Sequence, residues 1–228
     1  VHNKLADFVK PGISTLEIDQ FGEKAIRDLG CVPNFLNYNG YPASICVSVN
    51  DEVVHGIPRK DRILQDGDIV SLDAGLIHEG YHSDAARTHA VGNISEEAKR
   101  LIEVTKQSFF EGIKLAVPGN HLFDISEAIQ KYVESNGYSV VRDLVGHGIG
   151  THLHEDPQIP NFKQRRKGMK LRPGMTLAIE PMVNEGSYDV VWLDDDWTVV
   201  TEDGSLAAHY ENTIVITEDG CEILTLSE

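Results

Sequence analysis

Four acidic residues and one histidine could carry chemistry in this sequence. Asp73 lies in SLDAG, Asp84 in HSDAA, His147 in GHGIG, Glu180 in AIEPM and Glu211 in HYENTI. Four carboxylates with one imidazole form a mostly oxygen donor set. It suits Mn²⁺, Fe²⁺ or Co²⁺, and the single His keeps zinc open. Four negative ligands can neutralise two divalent ions, so the set points to a dinuclear site, with ions roughly 3.5–4 Å apart. Singly, each residue has an ordinary alternative. Asp73 could cap a strand, Asp84 could shape a turn, and Glu180 before Pro181 could be a surface acid. Three more histidines stand near: His55 in VVHGIP, His154 in LHEDP, and His209 two residues before Glu211. A lone His is more often structural than catalytic. GHGIG lacks the GxGxxG spacing of a dinucleotide loop. Its glycines are expected to let backbone come close to metal or substrate.

An internal repeat offers a way to bring these residues together. At one offset of 107 residues, Pro11-Gly12 matches Pro118-Gly119, and Leu16 to Gly30 matches Phe123 to Gly137. Leu64 to Gly67 matches Leu171 to Gly174, and Asp73 matches Glu180. The longer segments have apolar residues at helical spacing and end in Gly, a usual residue just past a helix. The later ones place a Gly turn before an apolar run, Ile69-Val70 or Thr176 to Ile179, which reads as a buried strand closed by an acid. Two copies, 11–73 and 118–180, would each bring a carboxylate to a shared interface. Helices are expected at 16–29, 123–136 and 96–115. Further strands are expected at 45–49, 88–91, 190–192, 197–201 and 213–217. The mixture indicates one α+β catalytic domain over 1–228 with antiparallel sheet.

Composition narrows the partners. The chain has 228 residues, 41% hydrophobic and 25% charged, enough for one large core. Its formal charge is −16, from 36 acidic against 20 basic residues. This argues against direct nucleic-acid binding, which needs clustered cations. The basic run Lys163 to Lys170 is expected to be a solvated loop. Cys31, Cys46 and Cys221 are odd in number and lack a CxxC pair, consistent with free thiols in a reducing cytoplasm. No apolar run approaches the ~20 residues of a membrane span, and no secretory signal is visible. Val1 to Ala6 looks like a helix interior without a cap, so some natural N-terminal sequence is expected to be missing.

At the residues above, the chain resembles the type I methionine aminopeptidases from Lys10 to Leu226. The segments GYPASICVSVNDEVVHGIP, GHGIGTHLHEDPQ, AIEPMV and HYENTIVIT carry the likeness. The resemblance implies the pita-bread fold, two pseudo-two-fold-related α/β halves around a dinuclear metal site. It implies that Asp84 and Glu211 bridge two divalent ions, that Asp73 completes one shell, and that His147 and Glu180 complete the other. His55, His154 and Glu180 match catalytic positions. A methionine pocket falls on Phe35, Tyr38, Tyr41, Cys46, Leu153 and Trp197, beside His55 and His154. Phe35 stands where some relatives have Cys, and Leu153 where some have Phe. Both changes stay apolar. The substrates implied are nascent polypeptides beginning with Met and a small second residue, met near the ribosome by a cytoplasmic monomer. The short gap from His154 to Glu180 leaves no room for the helical insertion of type II enzymes. Two alternatives remain. One is a proline-specific peptidase of the same fold, whose family normally carries a large N-terminal domain. The other is a non-catalytic peptide-binding relative, which would be expected to have lost ligands.

Overall fold

A computed structural model describes residues 1–226, and its two halves follow one plan. The first half holds α1 (His2–Phe8), α2 (Thr15–Asp28), β1 (Val32–Pro33), β2 (Cys46–Val49), β3 (Glu52–Val54), β4 (Ile69–Asp73), β5 (Leu76–His78), β6 (Tyr81–Ser83) and β7 (Ala86–Ala90). Then come α3 (Glu96–Ile113), α4 (Leu122–Ser135), β8 (Ser139–Val140), β9 (Gly146–Gly148), β10 (Glu155–Ile159), β11 (Thr176–Ile179) and β12 (Met182–Asn184). The chain finishes with β13 (Val190–Trp192), β14 (Val199–Thr201), β15 (Ala207–His209), β16 (Asn212–Ile216) and β17 (Cys221–Ile223).

Local chemistry fixes the paired helices. Ser14 caps α2 and Glu17 reaches back to the Ser14 N–H at 2.8 Å, a capping box. At the start of α4, the His121 N–H donates to Asp124 Oδ2 at 2.9 Å. Gly30 and Gly137, at φ 74° and 88°, end the two helices in the left-handed region. The Cys31 N–H returns to the Ile26 carbonyl and the Tyr138 N–H to Val133, the same Schellman closure 107 residues apart. The bridges Ser14–Ile63 and His121–Lys170 keep that offset too. So do the pairings Val32–Ile77 and Ser139–Asn184.

The sheets correspond as well. Order β2-β4-β7 in the first half is matched by β9-β11-β16 within a five-stranded sheet of order β10-β9-β11-β16-β17. Order β1-β5-β6 is matched by β8-β12-β15. Each half has its own core. Leu5, Ile18, Ile45 and Leu72 pack in the first, and Phe109, Leu122, Ile129 and Leu177 in the second. A smaller apolar cluster, including Phe35, Tyr41, Cys46 and Leu153, lies above Ala178 of β11 and draws on both halves. Among the described residues no helix is long and apolar enough to cross a membrane.

The helices begin and end within two residues of the spans expected from sequence. The strand β9, which carries His147, was not expected. Its glycines let the strand lie close to its neighbours. A Cβ on Gly146 would stand 2.4 Å from the Ala178 carbonyl oxygen, and one on Gly148 would stand 2.3 Å from that of Asp156. The close approach seen here is to neighbouring backbone, and at Gly146 also to the Glu180 side chain at 3.3 Å. Gly148→Ala should destabilise the protein by about 1–3 kcal/mol through overpacking. Gly220→Ala, with open space around it, should change stability little. Urea denaturation of both variants checks the contrast.

Candidate active site

Strand ends deliver the acids. Asp73 closes β4, and Glu180 directly follows β11. Asp84 lies in the link from β6 to β7, and Glu211 in the corresponding link from β15 to β16. His147 is the middle residue of β9. The two links are stitched together across the halves. The Glu211 N–H donates to the Ala86 carbonyl at 3.0 Å, and the Ala86 N–H donates back to Glu211 at 3.4 Å. The Asp84 N–H donates to Thr213 Oγ1 at 2.9 Å, and that hydroxyl donates to the Asp84 carbonyl at 2.9 Å. Arg87 supports Glu211 from behind. Its guanidinium donates to the Glu211 carbonyl and to Asn212 Oδ1, and lies 4.3 Å from the Tyr210 ring centroid.

Asp84, His147 and Glu211 hold potential ligand atoms within 4.8 Å of one another. Asp73 stands beside Asp84, and each carboxyl shifts the protonation of the other. Glu180 Oε1 lies 3.6 Å from His147 Nε2. His147 donates its Nδ1–H to the Gly148 carbonyl at 2.8 Å, which leaves the Nε2 lone pair facing the acids. Burial pushes every one of these carboxyls up, Asp73 to about 7 and the other three well above the usual range. Repulsion among the acids adds to the effect at Asp84, Glu180 and Glu211. Burial, and then His154, pulls His147 down to about 4, so the ring is neutral. Asp73 Oδ1 and Glu211 Oε1 are buried without a hydrogen-bond partner among the described residues. Acceptors without donors, beside a neutral imidazole, fit divalent cations.

One cavity of about 190 Å³ opens above the acids. It is lined by every site residue singled out from the sequence, and by Asn39. Phe35, Tyr41, Cys46, Leu153 and Trp197 make its apolar side. Tyr41 meets the edge of Trp197 at 5.1 Å and donates its hydroxyl to the Gly56 carbonyl at 2.8 Å. Cys46 sits opposite Asp73 in the β2–β4 register, and burial pushes its thiol up. On the polar side the Tyr38 hydroxyl and His154 Nδ1 are hydrogen-bonded at 2.7 Å. The His154 ring lies 4.3 Å from that of His147. His55 holds φ 58°, a left-handed conformation uncommon outside glycine, next to Trp197. Burial pulls its imidazole down to about 4, with His154 adding to the shift. Asn39, also left-handed at φ 49°, escaped the sequence reading. Its only signal is the Asn39-Gly40 pair, which marks a turn and not a site. Arg87 escaped because nothing local announces a cation that acts through backbone carbonyls.

Two related halves closing on a buried acid cluster define the pita-bread metallopeptidases. Residues 1–218 match metallopeptidase family M24. A methionine aminopeptidase of Clostridium acetobutylicum is 58% identical over 99% of this chain and 90% of its own length. The crystal structure of a methionine aminopeptidase from Thermotoga maritima superposes with a TM-score of 0.96 at 48% identity, covering 99% of this chain and 90% of that one. An Xaa-Pro dipeptidase from Bacillus anthracis gives 0.79 at 25% identity, covering 57% of its own chain. The chain belongs to family M24, among its type I methionine aminopeptidases.

The raised carboxyls have a consequence for stability. The folded metal-free protein holds carboxyl protons that the unfolded chain releases, so the carboxyls' contribution to stability should fall as pH rises through the window from 3.8 to about 7 set by Asp73, opposed up to 6.5 by His55 and His147, whose lowered values act with the reverse sign. Cations that take the protons' place should reverse the trend. Thermal unfolding with chelator at about pH 6.5 and pH 8, above most of the histidine window, and again with Mn²⁺ at pH 8, checks both signs.

Proposed function

We propose that this chain hydrolyses the peptide bond after an N-terminal methionine in nascent proteins and peptides, using two divalent cations drawn from Mn²⁺, Fe²⁺ or Co²⁺. The observation that carries this is the cavity itself. Unpartnered carboxylate oxygens form one side, and an aromatic and thiol-bearing wall forms the other. Asp73, Asp84, His147, Glu180 and Glu211 would hold the cations. Bound divalent ions supply Lewis acidity for the scissile carbonyl and lower the pKa of attacking water.

The chain's own groups do the rest. A thioether suits the apolar wall, since sulfur–aromatic contacts are favourable and Met adapts to irregular space. Glu180 is the base that takes the proton of the attacking water and returns it to the leaving amine, a role worth typically ~10²–10⁴-fold. With Tyr38 donating to Nδ1, His154 carries its proton on Nε2 and can donate to the oxygen that becomes negative. His55 can hydrogen-bond the amide nitrogen as it leaves. Tyr38, Asn39 and the two histidines crowd the cavity where the second residue would follow, which supports a preference for a small one. The free state of Cys31, Cys46 and Cys221 supports a cytoplasmic setting, and the resemblance supports a monomer that meets its substrates near the ribosome.

Chelation should abolish cleavage, and Mn²⁺, Fe²⁺ or Co²⁺ should restore it. On a peptide panel, Met-Ala and Met-Gly termini should be cleaved and Leu-, Lys- and X-Pro termini spared. Equal rates across the panel would replace this reading with a general aminopeptidase.

His154→Ala should lower kcat about 10²- to 10³-fold, as loss of one oxyanion donor does, with a much smaller rise in KM. Metal content measured on the same samples should stay at the wild-type level. Unchanged turnover would remove His154 from the mechanism.

A further inference from the structure

His209 lies on β15 and is 2% exposed. Its backbone is pinned on both sides. The His209 N–H donates to Thr88 Oγ1 and the Thr88 hydroxyl donates to the His209 carbonyl, each at 2.9 Å. Met182 of β12 pairs with it in the sheet. The side chain thus starts from a fixed point and is not among the residues that line the catalytic cavity. Its Nε2 lies 3.9 Å from Glu180 Oε2 and 3.9 Å from Glu211 Oε2. That nitrogen is buried and makes no hydrogen bond among the described residues.

A buried polar atom left unpaired costs about 1–3 kcal/mol. An apolar residue at this place would avoid the cost. The orphan is aimed between two acids, and one of them also has an unmet need, since Glu211 Oε1 is unpartnered. Closing either 3.9 Å gap to hydrogen-bond length takes a shift of about 1 Å, and the terminal torsion of Glu is broad enough to provide it.

We infer that His209 is a positioning residue whose Nε2–H holds, from behind the cavity, the oxygens of Glu180 and Glu211 that are turned away from the cations. It sets the orientation in which these two acids face the metal pair. The inference rests on the proposed cation site. Groups that orient ligands in this way are typically worth 10- to 100-fold in metal affinity.

The test is calorimetric titration of chelator-stripped protein with Mn²⁺, with thermal unfolding of the stripped samples alongside. His209→Leu removes the donor at similar bulk, and His209→Met is a second apolar replacement of different shape. His209→Gln keeps an N–H donor. The apolar variants should bind Mn²⁺ about 10- to 100-fold more weakly than wild type, with the Gln variant within about threefold of it. Stripped of metal, at least one apolar variant should melt no lower than wild type, because it has lost an unpaired buried donor. Wild-type Mn²⁺ affinity in a folded apolar variant overturns the inference, as does a Gln variant as weak as the apolar ones. A wild-type protein that binds no Mn²⁺ overturns the cation reading instead.

Discussion

Four carboxylates shut away from water are the constraint to which the rest of this molecule answers. Two like charges 4 Å apart repel by about 4 kcal/mol even at an effective dielectric of ~20, and here Asp84, Glu180 and Glu211 each feel two of the other acids. Without cations the cluster can persist only by keeping protons, which is why burial and mutual repulsion drive its carboxyls upward. The surroundings neutralise the acids only in small part. His147 is held neutral, and Arg87, fixed on the Ala86 and Glu211 carbonyls and on Asn212, offsets part of the repulsion at Glu211 alone. A protein that surrounds acids so closely and leaves their charge unmet has reserved the balance for something that enters. Divalent cations are the simplest entrants that match both the charge and the oxygen donors.

Placing four acids in one spot without breaking the sheets is a backbone problem, and the repeated plan solves it. Each half brings one acid at the end of its central strand, Asp73 or Glu180, and a second in the link to the next strand, Asp84 or Glu211. The exchange of hydrogen bonds between Ala86 and Glu211 is what related residues make when they meet across a two-fold axis. Strand registers show the equivalence, since Ile69 pairs with Ala90 in one half as Thr176 pairs with Val215 in the other. The ligand cluster lies beside that stitch. Neither half needs a special loop to reach it.

Much of this was legible in the sequence because it rests on local rules. Helix caps, Gly stops and apolar runs ending in acids are signals of a few residues each, and they recur at one spacing. The other elements were hidden for particular reasons. β9 has two glycines where an apolar strand would show side chains, because Ala178 and Asp156 leave no space for a Cβ. Other strands, such as β1, β5 and β12, are too short for alternation to declare itself. The repeat is masked where packing has been exchanged. Gly22 of α2 makes room for Ile45 and Leu5, while in the second half Gly112 makes room for Ile129. Leu5 and Gly112 are equivalent, as are Gly22 and Ile129, so the large and small partners have swapped places. An alignment by residue type fails there, though the helices pack alike. Past Asn184 the offset also changes, because one half carries the extra hairpin β13–β14.

That hairpin shows how a symmetric cluster of acids acquires a one-sided pocket. The acids come from places where the halves agree in length. The apolar wall comes largely from places where they differ. Phe35, Tyr38 and Tyr41 lie between β1 and β2, a connection longer than its counterpart between β8 and β9. Trp197 belongs to the β13–β14 hairpin, where the first half has only the tight β5–β6 turn. His55 and Leu153-His154 come from connections that correspond in order but not in length, β2 to β4 and β9 to β11. A duplicated scaffold can therefore keep its acid cluster fixed, since the acids are bound to the shared strand plan. It can still alter what it accepts, since the pocket is built from segments that no equivalent copy constrains. On this view Phe35 and Leu153, two apolar positions of the pocket wall, lie where change is cheapest. Each can exchange one apolar shape for another without disturbing a strand that carries an acid.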